Sequence, residues 1–118
     1  MSHRRSRVEE QIQREVSRIL LESLRDPRVS FLSVTAVRAS ADLRHARVYV
    51  SILGDAGATQ RTLELLRRAS AFVRRELGSS LHMRHVPELE FRLDEDERRG
   101  SRVEEILSRL HEDKDSEE

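Results

Sequence analysis

Leu63 to Leu77 reads LELLRRASAFVRREL. At about 100° per residue, Leu63, Leu66, Ser70, Val73 and Leu77 fall on one side of a helix, widened by Ala69 and Phe72. Arg61, Arg67, Arg68, Arg74 and Arg75 fall on the other. One face therefore calls for a core and the other for anions. Between the Arg pairs stands Ala69-Ser70-Ala71, small residues that let another backbone approach, with a serine able to bond the carbonyl four residues back and bend the helix. A basic helix with a small-residue middle suggests phosphate contact.

Upstream of this helix, residues 29–39 (VSFLSVTAVRA) are rich in β-branched types without a helical period, and they read as a strand. Ala41-Asp42-Leu43-Arg44 supplies a turn. Ala46, Val48, Val50 and Ile52 then alternate with Arg47, Tyr49 and Ser51, as in a strand with one wet face. Gly54 to Gly57 ends this hairpin, and Thr59 or a neighbour is placed to cap the basic helix. Earlier still, Ser6-Arg7-Val8-Glu9 is a capping box. It opens a helix whose Val8, Ile12, Val16, Ile19 and Leu20 share a side and which Asp26-Pro27 closes. Its reverse side carries Arg7, Arg14, Arg18 and Arg25, flanked by Glu10, Glu15 and Glu22 that can pair with them.

Downstream, Gly78-Ser79-Ser80 is expected to end the basic helix, with Leu81 to Val86 and Pro87 following. Leu89, Phe91 and Leu93 alternate with Glu88, Glu90 and Arg92 as a third strand. The order is α-β-β-α-α-β, an α+β domain with helices over the dry face of a three-stranded sheet. Ser101-Arg102-Val103-Glu104 is a second capping box. Val103, Ile106, Leu107 and Leu110 form an apolar stripe over about 101–110, too short a helix to stand alone. The closing HEDKDSEE has no apolar residue and is expected to be disordered.

Composition narrows the function. With 118 residues the chain is one domain's worth, and 3% aromatics without Trp leave little material for a large internal pocket, which disfavours an enzyme. The absence of Cys excludes a disulfide framework, a thiolate nucleophile and a zinc ribbon. No apolar run approaches a membrane span and the first residues lack a signal-peptide segment, so the cytosol is the expected address. The zero net charge is an average of two unlike pieces. Residues 1–93 hold 17 Arg against 11 Asp and Glu, a balance of +6; residues 94–118 carry −6. A basic body followed by an acidic extension points to nucleic acid or an acidic surface. Arg outnumbers Lys 21 to 1, which suits phosphate recognition but also follows from genome base composition.

Two other clusters are weaker. His82 and His85 share helical spacing, yet no third ligand lies near and Arg84 between them opposes a cation, so no metal is expected. Asp94-Glu95-Asp96-Glu97 lacks the spacing of a calcium loop and reads as a solvated turn. No cofactor motif and no nucleophile with its base is present.

Together, Asp26-Pro27-Arg28, the run Asp42 to Ser51 (DLRHARVYVS), Ala69-Ser70-Ala71 with Phe72-Val73-Arg74, Pro87-Glu88-Leu89-x-Phe91 and the Gly100 to Leu107 segment resemble the ribosome-binding factor A family over residues 4–110. The resemblance implies a type II KH-like domain at 1–93, followed by the acidic extension at 94–118. In that family a helix-kink-helix with an Ala-x-Gly kink replaces the usual Gly-x-x-Gly loop. Here the kink reads Ala69-Ser70-Ala71, so Ser70 is expected to do more of the bending. The resemblance further implies a non-enzymatic, monomeric assembly factor for the free 30S small ribosomal subunit, acting late in maturation and 5′-end processing of 16S rRNA, with a part in cold adaptation and a GTPase as candidate releasing partner. The residues expected to meet RNA phosphates are Arg67, Arg68, Arg74 and Arg75, with Arg44, Arg47 and Arg84 contributing. The competing reading is a protein-interaction adaptor that binds through its sheet edge and C-terminal helix.

Overall fold

In this computed structural model the structure describes residues 2–24 and 26–95, and of residues 2, 3, 29 and 30 the backbone alone. The expected helix at 101–110 and the closing acidic residues lie outside the described residues.

The first helix, α1, spans Ser2–Glu22 and buries Ile12, Val16, Ile19 and Leu20 completely. It begins four residues before the capping box, because residues 2–5 hold neither Gly nor Pro to stop it. Ser6 and Glu9 are therefore inside the helix, and the Glu9 carboxylate instead accepts the Ala39 N–H at 2.7 Å. The Gln13 amide donates to the Val34 carbonyl at 3.1 Å. Both of these backbone groups belong to strand β1 (Leu32–Ala39), so α1 runs antiparallel to β1 and shields it with its own side chains.

The strand expected from residue 29 starts only at Leu32, after a 3-10 turn over Pro27–Phe31. Pro27 fixes φ, and the Asp26 carboxylate accepts both the Arg28 N–H (2.9 Å) and the Arg28 guanidinium (3.0 and 2.8 Å). Local side-chain bonding outweighs the β-branched composition there.

Strand β2 (His45–Ile52) pairs antiparallel with β1, from Leu32 opposite Ile52 to Ala39 opposite Ala46. The register slips between Val34 and Ala36, leaving Thr35 as a bulge. In the connecting turn Asp42 accepts the Ser40 hydroxyl (2.7 Å) and the Arg44 N–H (3.1 Å), while Leu43 takes a positive φ of 60°. Strand β3 (Glu88–Leu93) lies parallel to β2 on its other side, giving the order β1-β2-β3.

Helices α2 (Ala56–Arg68) and α3 (Ser70–Leu81) form the crossover from β2 to β3. Asp55 caps α2 by accepting the Ala58 N–H at 2.8 Å, whereas Thr59 sits buried inside the helix. All three helices pack on one face of the sheet, around Val37, Val48, Val50, Leu63, Leu66, Val73, Leu77 and Phe91. Gly78 does not end α3. The helix runs on to Leu81 and is closed by His82 at φ 52°. A Cβ at Gly78 would stand 2.8 Å from Val86 Cγ2, so the glycine admits the returning chain.

Candidate nucleic-acid interface

The break between α2 and α3 falls on a single residue. Ala69 has φ −87° and ψ 0°, outside the helical region. Hydrogen bonding nonetheless continues through it. Its N–H reaches the Leu65 and Leu66 carbonyls (2.9 and 3.1 Å), and its own carbonyl accepts the Val73 N–H at 2.9 Å. Ala71, where the family has glycine, lies within regular α3 and needs no positive φ, which is why Ala-x-Ala suffices. The bending role expected of Ser70 is not seen: among the described residues its hydroxyl makes no hydrogen bond to the preceding turn.

Beyond the break, α3 and the 82–87 segment enclose an open groove of about 510 Å³ lined by Ala71, Arg74, Arg75, Gly78, Arg84, His85 and Val86. Arg74 is fixed across it, donating from Nε (3.3 Å) and Nη2 (2.9 Å) to the Val86 carbonyl. That neutral acceptor orients the guanidinium and leaves its charge uncompensated. The Arg75 guanidinium lies 5.9 Å from the centre of the Phe72 ring, within cation–π range. Arg44 is at the same end of the molecule, because its carbonyl accepts the N–H of Glu88, the residue after Pro87, at 2.9 Å. Among the described residues, no carboxylate lies within ion-pair distance of Arg44, Arg67, Arg68, Arg74, Arg75 or Arg84, although Asp42 attracts Arg44 and Glu90 attracts Arg67 at longer range.

The other expected contributors lie elsewhere. Arg68, exposed, is the last residue of α2, directly before the break. Arg67 lines a second groove with Tyr49, Gln60, Glu90 and Arg92, beside β3. Arg47 is on the open face of the sheet, 3.7 Å from the Glu90 carboxylate, which also accepts Arg92 at 2.9 Å. The hydrogen bond from Arg92 holds the Glu90 carboxyl below the usual range. Arg47 is thus partly neutralised and faces away from the α3 groove. On α1, Arg18 is likewise taken up by Glu15 (2.9 Å), Glu22 (3.4 Å) and the Ser80 hydroxyl (2.8 Å).

Segment 82–85 is not helical, so the two His do not share a face as a metal pair would; among the described residues no group of three metal-ligating side chains is present. Asp94 is more than a solvated turn residue, since the Thr35 hydroxyl donates to it across the sheet. His85, Gly78 and the Val86 carbonyl complete the groove; the sequence marks His85 only as half of a metal pair that Arg84 opposes and Gly78 only as a helix end, and nothing marks the Val86 carbonyl. A glycine inside a basic helix is the available signal.

These geometries agree with comparison to known proteins. A family model described as ribosome-binding factor A matches residues 4–107. The chain belongs to the ribosome-binding factor A family. Its sequence is 44% identical over 115 residues to ribosome-binding factor A of Heliobacterium modesticaldum, covering 98% of this chain and 95% of that one. It is 40% identical over 117 residues to the factor of Thermomicrobium roseum, covering 99% and 91%. The crystal structure of ribosome-binding factor A from Thermus thermophilus superimposes with a TM-score of 0.65 at 33% identity, covering 75% of this chain and 94% of that one. A Thermus thermophilus ribosome-binding factor A homology model fitted into a cryo-EM map of its 30S complex matches with a TM-score of 0.60 at 34% identity, covering 71% and 88%. The KH-like architecture of the family is thus present here, with a kink at Ala69. Among the described residues no helix is long and apolar enough to cross a membrane.

Proposed function

We propose that this chain is a non-enzymatic assembly factor that binds the free 30S subunit in the cytoplasm as a monomer. Its groove beside α3 faces the phosphates of 16S rRNA, and it holds the RNA in an immature state during late maturation and 5′-end processing, with cold conditions raising the need for it. It leaves when maturation is complete, with a GTPase as the candidate for driving release. The observation that carries this reading is the convergence of Arg74, Arg75 and Arg84 on one open groove, none of them within ion-pair distance of a described carboxylate, with Arg44 nearby beside Asp42. Unpaired guanidinium groups around small residues admit a ribose-phosphate backbone closely and release its counterions on binding. The fitting of a Thermus thermophilus relative into a 30S complex map supports the same partner. Against the adaptor alternative, two backbone groups of β1 are already satisfied by Glu9 and Gln13.

The test is co-sedimentation with free small subunits, comparing the native chain with the Arg67→Ala, Arg68→Ala, Arg74→Ala, Arg75→Ala variant. The expected result is nuclease-sensitive, salt-sensitive association that the variant loses. Within the protein, Arg74 gives up its hydrogen bonds to the Val86 carbonyl, about 0.5–1.5 kcal/mol each, and Arg75 its contact with the Phe72 ring, about 0.5–1 kcal/mol at an exposed site, so the variant should melt at a lower temperature but remain folded. Undiminished association of the folded variant overturns the site.

A further inference from the structure

The helices cover one face of the sheet, and among the described residues no element covers the other. In the middle of that open face stands Tyr49, the chain's only tyrosine. It is half-buried on the central strand, with Ala36 opposite it on β1 and Arg92 beside it on β3. The methyl group of Ala36 is too small to cover a phenol ring. In a chain with 3% aromatics and no Trp, this ring is kept out of the core that buries Phe91.

Two open depressions flank the ring. One, of about 650 Å³, is lined by Tyr49, Arg67, Glu90, Arg92, Asp94 and Glu95 among others and reaches α2 past the edge of β3. The other, of about 590 Å³, is lined by Arg38, His45, Arg47, Glu88 and Glu90 among others. Glu90 belongs to both, so the two adjoin. What the carboxylates hold decides which cations are left over. Glu90 is shared by Arg92 (2.9 Å) and Arg47 (3.7 Å), Glu88 stands 3.9 Å from His45, and Asp94 accepts the Thr35 hydroxyl. Arg38 and Arg67, one in each depression, have no described carboxylate within ion-pair distance, with Glu90 attracting Arg67 at longer range. Arg38 is also directly opposite Arg47 in the β1–β2 pairing. Like charges so placed destabilise a sheet, and an anion lying beside them relieves the repulsion.

We propose that this face binds one unpaired nucleotide of an RNA strand, its base stacked on the Tyr49 ring and the phosphates on its two sides held by Arg38 and Arg67. The ring makes a sequence-tolerant contact, because every base has a π-face, and each guanidinium offers a fork to phosphate. A base inside a duplex has both faces already stacked and cannot enter. The inference rests on the reading of the chain as an RNA-binding protein, but it uses the side of the sheet that faces away from the Arg74–Arg84 groove. A strand is then gripped at two separate places.

Because the chain has one Tyr and no Trp, tyrosine emission from the full native chain reports this ring alone. The probe is an oligoadenylate of roughly twelve nucleotides, single-stranded or annealed to oligouridylate. The single strand should quench the emission saturably and the duplex should not. In the Arg74→Ala, Arg75→Ala, Arg84→Ala background the quenching should persist, at higher RNA concentration. With a fluorescein-labelled strand in that same background, Tyr49→Leu should weaken binding about 5-fold or more, and Tyr49→Phe, which keeps the ring, should restore it. Arg38→Ala with Arg67→Ala should weaken it as well. Three results overturn the proposal: a strand that binds the native chain without quenching Tyr49, equal quenching by the duplex, or undiminished binding by folded Tyr49→Leu. Failure of the strand to bind the native chain at all, even at low salt, removes the RNA-binding reading itself and this inference with it.

Discussion

Adding one methyl group at Gly78 measures how firmly α3 holds the segment that carries Arg84. The new Cβ would be 2.8 Å from Val86 Cγ2, whereas carbon atoms pack best at about 3.5–4.0 Å. Val86 has no easy escape. Its side chain is β-branched and stiff, its carbonyl is held by Arg74, and the next residue is the buried Pro87. Overpacking of this kind costs about 1–3 kcal/mol. Replacing a helix-interior glycine with alanine returns about 1 kcal/mol. Gly78→Ala should therefore be net destabilising by about 1 kcal/mol, which lowers Tm by roughly 4–8 °C in a domain of this size. Val86→Ala removes the opposing methyl, so in the double variant the clash vanishes and the helix gain survives. Urea and thermal denaturation of the four proteins should give a favourable coupling of about 1–2 kcal/mol between the two sites. Strict additivity, or a Tm that rises in Gly78→Ala alone, would refute the packing argument. Because Arg84 is two residues from Val86, Gly78→Ala should also weaken small-subunit association more than its stability loss accounts for.

Asp55→Ala removes the N-cap of α2 and should cost about 1 kcal/mol, read as a lower urea midpoint with an unchanged slope. Asp26 should titrate at about 2 instead of its ordinary 3.8, because the Arg28 guanidinium and then the Arg28 N–H bond its carboxylate. The folded value lies below the unfolded one, so the contribution to stability is full above about pH 4 and is lost as pH falls toward 2; Arg28→Ala should move the NMR midpoint back up, and a native midpoint near 3.8 would contradict the bonding. Replacing Arg74, Arg75 and Arg84 by Ala should reduce the slope of log affinity against log salt for single-stranded ribosomal RNA by about 2, and an unchanged slope would mean these side chains touch no phosphate.

The periodic elements are legible because burial imposes a period. Every apolar position assigned inward on β2 is buried, and so is Phe91 at the centre of β3; on α1, Ile12, Val16, Ile19 and Leu20 are buried as well. Element ends are less legible, since they depend on single hydrogen bonds. Ser6-x-x-Glu9 has the pattern of a helix start, but Glu9 is used against a strand 30 residues away. Gly78 has the pattern of a helix end, but it serves a contact with Val86. Along the sequence the site reads as one basic helix face, Arg67, Arg68, Arg74 and Arg75, with Arg44, Arg47 and Arg84 as contributors from outside that helix. The fold divides it, bringing Arg74, Arg75 and Arg84 to a shared groove while Arg67 turns toward β3 and Arg47 to the opposite side of the sheet.

By itself the sequence determined the order of helices and strands, the apolar face of each, the surplus of arginine in residues 1–93 and the family, because all of these are properties of local spacing and composition. Only the tertiary structure decided which arginines keep an uncompensated charge. That depends on which carboxylates the sheet register places opposite them, as Glu90 is placed beside Arg47, and on whether a returning segment offers a neutral carbonyl instead, as Val86 does to Arg74. Both are contacts between residues distant along the chain, and no local pattern encodes them.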